Sequence, residues 1–104
     1  MSFEVAPKET EIQANWNDAM LYCLFLNVDG KTGWRLPTRD ELYLLYKNHN
    51  DFSKEWYWSS TKWDENRARI QNFDNGTQYN FHKNNRYYVR AVRDIIKIDT
   101  IVLA

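Results

Sequence analysis

The hydrophobic pattern of this chain changes period once, near Asn50, and that change limits the folds open to it. Before it, apolar residues recur at helical spacing. After it they alternate, as in Trp56-Tyr57-Trp58-Ser59-Ser60-Thr61. Helices that precede a run of strands lack the alternation that parallel α/β sheets need. The sequence therefore reads as α+β, in the order strand, helix, helix, then four or five mostly antiparallel strands. Dinucleotide-binding and phosphate-loop folds are excluded.

Each element has a local cause. Phe3-Glu4-Val5-Ala6 can form a short first strand. A first helix starts at Asn15, a good N-cap, with Asp18 in its first turn and Gly30 beyond its end. Trp16, Ala19, Met20, Cys23 and Leu26 lie toward one side, while Leu21, Leu24 and Phe25 make the helix apolar almost all round. Such a helix is expected to be buried on more than one side. Thr38 and Glu41 have the spacing of a capping box, so a second helix starts there. Pro37 makes Trp34-Arg35-Leu36 an extended lead-in to it. Leu42, Leu45, Tyr46 and His49 give that helix one apolar face.

In the second half, Asn75-Gly76 signals a hairpin. A two-residue type I′ turn would set Asp74 opposite Thr77, Ile70 opposite Phe81 and Arg69 opposite His82. Ala68, Ile70 and Phe81 then share the core face, and Arg69, Gln71, Asn80 and His82 share the other, which is left polar and available. Tyr87 to Arg93 forms a further strand. Residues 91–104, with Ile95-Ile96-Lys97-Ile98-Asp99-Thr100-Ile101-Val102-Leu103-Ala104, supply a terminal strand or oligomerisation segment that needs a covering neighbour.

Composition narrows the function classes. A chain of 104 residues fits one domain, 1–104. Fourteen basic residues balance fourteen acidic ones, so no overall field draws it to nucleic acid or an anionic membrane. The single cysteine, Cys23, permits neither an intrachain disulfide nor a cysteine-built zinc site and reads as a core residue. No signal peptide is visible, and the longest apolar stretch, Ala19 to Leu26, is too short to span a bilayer. The expected localisation is cytoplasmic as synthesised, which a virion component would share. No cofactor is implied.

Taken together, Gly33-Trp34-Arg35-Leu36-Pro37-Thr38-Arg39-Asp40-Glu41-Leu42, Tyr57-Trp58-Ser59-Ser60-Thr61, the Asn-Gly hairpin and Tyr88-Val89-Arg90-Ala91-Val92-Arg93 resemble the Lcl-type C-terminal domain family, named for the end of a collagen-like bacterial adhesin. The likeness runs from about Trp16 to Arg93. It implies a C-type-lectin-like fold related to the formylglycine-generating-enzyme group, with two helices packed on a twisted, mainly antiparallel sheet and neighbouring termini. It also implies a recognition role on bacterial or phage surface proteins. The cysteine pair of the formylglycine-generating branch is absent. Trp16-Asn17-Asp18 matches a triplet of calcium-binding lectins, but here it opens a helix, and capping explains it. In the closing motif, Arg90 and Arg93 are expected to pair with carboxylates such as Asp40, Glu41 or Asp94.

Other chemistries find little support. Asp64, Glu65 and Asn66 provide about half the oxygens that calcium takes, so a solvated loop is the reading adopted. Ser59 or Ser60 with His49 or His82 lacks any triad spacing, and the chain is read as non-enzymatic. Lys83, Arg86, Arg90 and Arg93 near Tyr79, Phe81, Tyr87 and Tyr88 suit a single-strand nucleic-acid platform in composition but not in element order. Trp34 and Trp58 read as core. Trp63 falls in a loop beside Asp64-Glu65-Asn66, where a ring needs a partner to stack on. The ligand site is therefore placed on Trp63, Asn80, His82, Asn84, Asn85 and Tyr87, with no metal, and its ligand is a glycan or a protein surface. The alternative is a structural or virion subunit that self-associates through its C-terminal strand.

Overall fold

The computed structural model describes residues 2–95. Helix α1 (Trp16–Phe25) is capped by Asn15, whose side chain accepts the Asp18 N–H. Helix α2 (Arg39–Asn48) carries the complete capping box: Thr38 Oγ1 accepts from Glu41 N, and Glu41 Oε1 accepts from Thr38 N. Arg35 binds the same Glu41 through both terminal nitrogens, at 2.7 and 2.9 Å. The extended lead-in is thus tied to the cap it precedes.

Among the described residues, eight strands form two sheets. In the smaller, β1 (Phe3–Val5) and β3 (Trp34–Arg35) flank β8 (Val92–Asp94). The larger has the order β2 (Ile12–Ala14), β7 (Tyr87–Val89), β4 (Trp56–Lys62), β5 (Arg67–Asn72), β6 (Gln78–His82). All pairings are antiparallel except β4 with β7, which meet in parallel at Tyr57 and Tyr88. The expected strand from Tyr87 to Arg93 is two strands. The chain passes from one sheet to the other at Arg90 and Ala91, and Arg90 is buried at the crossing. The end of this described chain lies by its start, with Ile95 N–H on the Ser2 carbonyl. The proposed C-terminal strand lies, from residue 96 on, outside the described residues.

Both faces of β4 are covered, so Tyr57 and Trp58, which point to opposite sides, are each fully buried. On one side Trp58, Ala68, Ile70 and Val89 pack with Trp16, Ala19 and Cys23 of α1, along with Trp34 and Leu36. On the other, Tyr57 and Phe73 pack with Leu42 and Leu45 of α2 and with Phe3 and Val92. Cys23 is buried, and burial pushes its thiol up to about 12.

Four further expectations are corrected. The hairpin register differs by two residues: Ile70 pairs with Tyr79, Arg69 with Asn80 and Arg67 with His82. A type I′ turn needs positive φ at both central positions, but of Asn75 and Gly76 only Gly76 has it (81°). Phe73 is drawn into the aromatic cluster of Tyr57, Phe52 and Tyr46, and its N–H bonds Glu55 instead of a hairpin partner. The loop therefore spans residues 73–76, closed by Asn72 N–H on Thr77 O. An even shift keeps every side chain on its expected face. The faces themselves are used differently. α2 buries Gln71 on the supposedly open face, and α1 does not reach Phe81, which is 40% exposed on the supposed core face.

The third correction concerns α1, which has a sheet on one side only. Met20, Leu21, Leu24 and Phe25 are all exposed. The last concerns the arginines. Arg90 pairs with Glu11 and Asp51, and Arg93 with Glu4, whereas Arg35 takes Glu41 and Asp94. The pairs of Arg35 with Asp94 and of Arg93 with Glu4 depend on the return of β8 between β1 and β3, which sequence distance does not reveal.

Candidate ligand-binding surface

Hydrogen bonding divides the five tryptophans into two groups. The indole N–H of Trp16 donates to Ser59 O, that of Trp34 to Lys31 O, and that of Trp58 to Ala14 O, each at 2.9 Å. These three rings are buried and internally satisfied, as structural tryptophans should be. Trp56 and Trp63 have no N–H acceptor among the described residues. Both belong to the half of the large sheet built from β4, β5 and β6.

Trp63 is 52% exposed and is held from one side by the Arg69 guanidinium, 4.5 Å from the ring centre. Arg69 is paired across the ladder with Asn80, and Arg67 with His82. Alternation puts these four side chains on the α2 side of the sheet, where Gln78 marks the N-terminal limit of the helix by donating to Arg39 O. Two turns meet at this end of the sheet. Lys83 N–H bonds Asn66 O and Lys83 Nζ bonds Glu65 O, joining the turn after Trp63 to the turn after His82. That second turn is closed by Asn85 N–H on His82 O and carries exposed Asn84 and Asn85. The fold thus brings Trp63, Asn80, His82, Asn84 and Asn85 to one end of the sheet.

Tyr87 is not with them. It points to the α1 side, edge-on to Trp58 at 5.1 Å and to Phe81 at 5.8 Å, and burial raises its hydroxyl pKa. There it belongs to a strip of four rings, Trp56, Tyr79, Phe81 and Tyr87, with neighbouring centroids 5.7 to 6.5 Å apart. Tyr79 is 54% exposed. Sequence reasoning missed Trp56, Tyr79 and Arg69. The sequence carried no signal for them, because β7 starts only five residues after His82 and β6 becomes an edge only through the pairing of β7 with β2 and β4.

The sequence model of the Lcl C-terminal domain matches residues 4–93. The chain belongs to that family. No curated protein matches it. In this Lcl C-terminal domain the matched span starts in β1 and ends in β8, so both sheets and both helices fall within it.

Other groups in the domain are engaged elsewhere. Asp64 Oδ1 accepts the N–H groups of Asn66 and Arg67, an Asx turn that uses the carboxylate internally. Among the described residues no three His, Cys, Asp or Glu side chains converge as a metal site. Ser59 is buried and donates to Arg69 O, while His49 packs against Phe52 beyond α2 and His82 lies opposite Arg67. Of the basic residues near the aromatics, Arg90 is buried, Arg93 lies in the other sheet, Lys83 covers the Trp16 ring and Arg86 binds Gln13 O. Among the described residues no helix is long and apolar enough to cross a membrane.

Proposed function

We propose that this Lcl C-terminal domain is a non-catalytic recognition module whose ligand-facing element is the β5–β6 hairpin. The observation that carries the reading is a pair of tryptophans whose indole N–H groups have no acceptor among the described residues, Trp56 and Trp63, on opposite faces of that half-sheet. Tyr79 and Phe81 extend the first ring into a strip, and Arg69 lies over the second, with Asn80 and His82 on the same face of the sheet as Arg69. Exposed rings beside amide, imidazole and guanidinium groups suit a sugar, whose faces stack and whose hydroxyls both donate and accept. The ligand favoured is a glycan, met in adhesion or host attachment on a bacterial or phage surface. A protein surface is the other ligand class this face can serve. The two helices on mainly antiparallel sheets, with Ser2 beside Ile95, support a C-type-lectin-like fold.

The test is a glycan array with wild type, Trp63→Ala and Tyr79→Ala, run beside thermal melts. Loss of an aromatic anchor should weaken binding by about 2 kcal/mol, roughly thirtyfold, in at least one variant, with the melt unchanged. A wild type that binds glycans equally well after both substitutions would reject the hairpin as the site. If wild type retains no glycan, the glycan reading is wrong, and a host-surface protein pull-down with the same variants decides whether the hairpin binds protein instead.

A further inference from the structure

Beyond the last turn of α2 lies a cavity of about 430 Å³, set between the segment that follows the helix and Phe73 in the loop joining β5 to β6. Small-molecule sites usually enclose about 300–1,000 Å³. Lys47, His49 and Lys54 line this one together with the side chains of Asn48 and Asn50, and no carboxylate does. We propose that the cavity binds a phosphate group, as the free ion or as the monoester of a small molecule.

Its walls are electropositive by geometry as well as by charge. Phe52 is stacked on Phe73, with centroids 4.4 Å apart and planes within 9°, and the Arg90 guanidinium lies over the same ring at 4.7 Å. With Phe73 on one face and the guanidinium on the other, the part of Phe52 left to the cavity is its edge, the positive end of the ring quadrupole. Asp51, in the same segment, is already engaged. Arg90 holds both its oxygens, at 3.1 and 3.0 Å, and His49 Nδ1 lies 2.8 Å from one of them.

The two lysines carry the assignment further. Neither Lys47 nor Lys54 forms an ion pair among the described residues, unlike Lys8 and Lys31. A cation in the last turn of a helix meets the negative end of the dipole, so Lys47 alone would signify nothing. Lys54 stands beyond the helix and has no such reason to be there. The helix end is also partly screened, because Asn48 Nδ2 donates to Leu44 O and His49 N–H to Leu45 O. Ammonium groups hold phosphate as point charges, whereas a carboxylate is better matched by the planar fork of an arginine. The cavity is separate from the hairpin face of Trp63. Trp63 and Phe73 lie beyond opposite ends of β5, a strand of about 20 Å, so neither site depends on the other.

Amide NMR and thermal melts on the full chain test the proposal, with inorganic phosphate and glycerol 3-phosphate as probes and sodium chloride at matched ionic strength as control. The melting point should rise with either phosphate but not with chloride. The amides of residues 47–54 should shift to saturation with a dissociation constant of about 1 mM or below. Lys47→Gln combined with Lys54→Gln should raise that constant at least tenfold and leave the phosphate-free melt unchanged, since both residues are exposed. If the pair melts early, Lys54→Gln alone decides by the same criterion. Trp63→Ala should bind phosphate as wild type does, which separates this outcome from the fate of the glycan reading. Tighter binding of glycerol 3-phosphate than of the inorganic ion would mark an ester as the ligand, and the reverse would mark the free ion. A wild type that responds to phosphate no more than to chloride overturns the proposal. Binding that survives loss of the lysines, or shifts centred on residues 63–69, would overturn it too.

Discussion

Among the described residues Arg90 is the charged side chain that the fold buries. Its Nε donates to Ala6 O at 2.7 Å, and its terminal nitrogens reach Glu11 at 2.9 Å and Asp51 at 3.0 Å. The guanidinium also lies over the Phe52 ring, at 4.7 Å. Tyr57 donates to the same Glu11, and burial followed by that carboxylate raises its hydroxyl pKa. Removing one partner of a buried pair strands the other, so Arg90→Met should cost about 3–5 kcal/mol. Arg90→Lys should recover little, because one ammonium cannot fork to two carboxylates and a carbonyl. Urea titration of the three proteins measures this, and a loss under 1 kcal/mol in Arg90→Met would contradict it. Trp34→Ala and Trp58→Ala act through packing. Each deletes a buried, hydrogen-bonded ring at about 3–5 kcal/mol, a large part of a total of about 5–15. A cooperative melt within a degree or two of wild type would refute that.

Among the elements, the capping box of α2 is the most local device. Thr38→Ala removes the acceptor for Glu41 N and leaves Glu41 tied to Arg35, so the loss should be about 1 kcal/mol, read as a melting point roughly 4–8 °C lower. The hairpin depends on Gly76 for two reasons. Its φ is 81°, and a Cβ there would lie 2.6 Å from Cε2 of Tyr46 on α2. Gly76→Ala should therefore destabilise by about 1 kcal/mol or more, and Tyr46→Ala in the same background should recover only the steric part. A double-mutant cycle by thermal melt separates the two causes.

The whole molecule is fastened across its smaller sheet by arginine–carboxylate pairs. Arg35 bridges Glu41 and Asp94, and Arg93 holds Glu4. Hydrogen bonds from these arginines hold the carboxyl groups of Glu41, Asp94 and Glu4 below their usual range. Burial opposes ionisation of Asp51, and Arg90 reverses it to a net lowering. A carboxylate whose folded pKa is depressed adds stability above its unfolded pKa, and that stability is lost as pH falls through the folded value. The urea midpoint should thus be flat from pH 7 to about 5 and decline below about 4.5. Arg35→Gln should be less stable at neutral pH and show a shallower decline. A midpoint unchanged down to pH 3 would mean these pairs add nothing to folding.

By itself the sequence determined both helix starts, the α+β class, the burial of Cys23, Trp34 and Trp58, and the face on which each hairpin side chain lies. All of these follow from interactions within a few residues: a cap, a proline, a hydrophobic period. It also singled out Trp63, because a loop ring beside charged neighbours has no local reason to be buried. Tertiary structure decided the rest. The splitting of the last strand at Arg90, the partners of Arg35, Arg90 and Arg93, and the two-residue change of register all arise where distant segments meet. The pull of the Tyr57 cluster on Phe73 outweighed a strong turn signal. The same holds for the candidate site, since Tyr87 was separated from Asn80 and His82 once β7 paired with β2 and β4 rather than with β6. Alternation tells which residues share a face, but which faces stay open depends on where α1 and α2 come to rest.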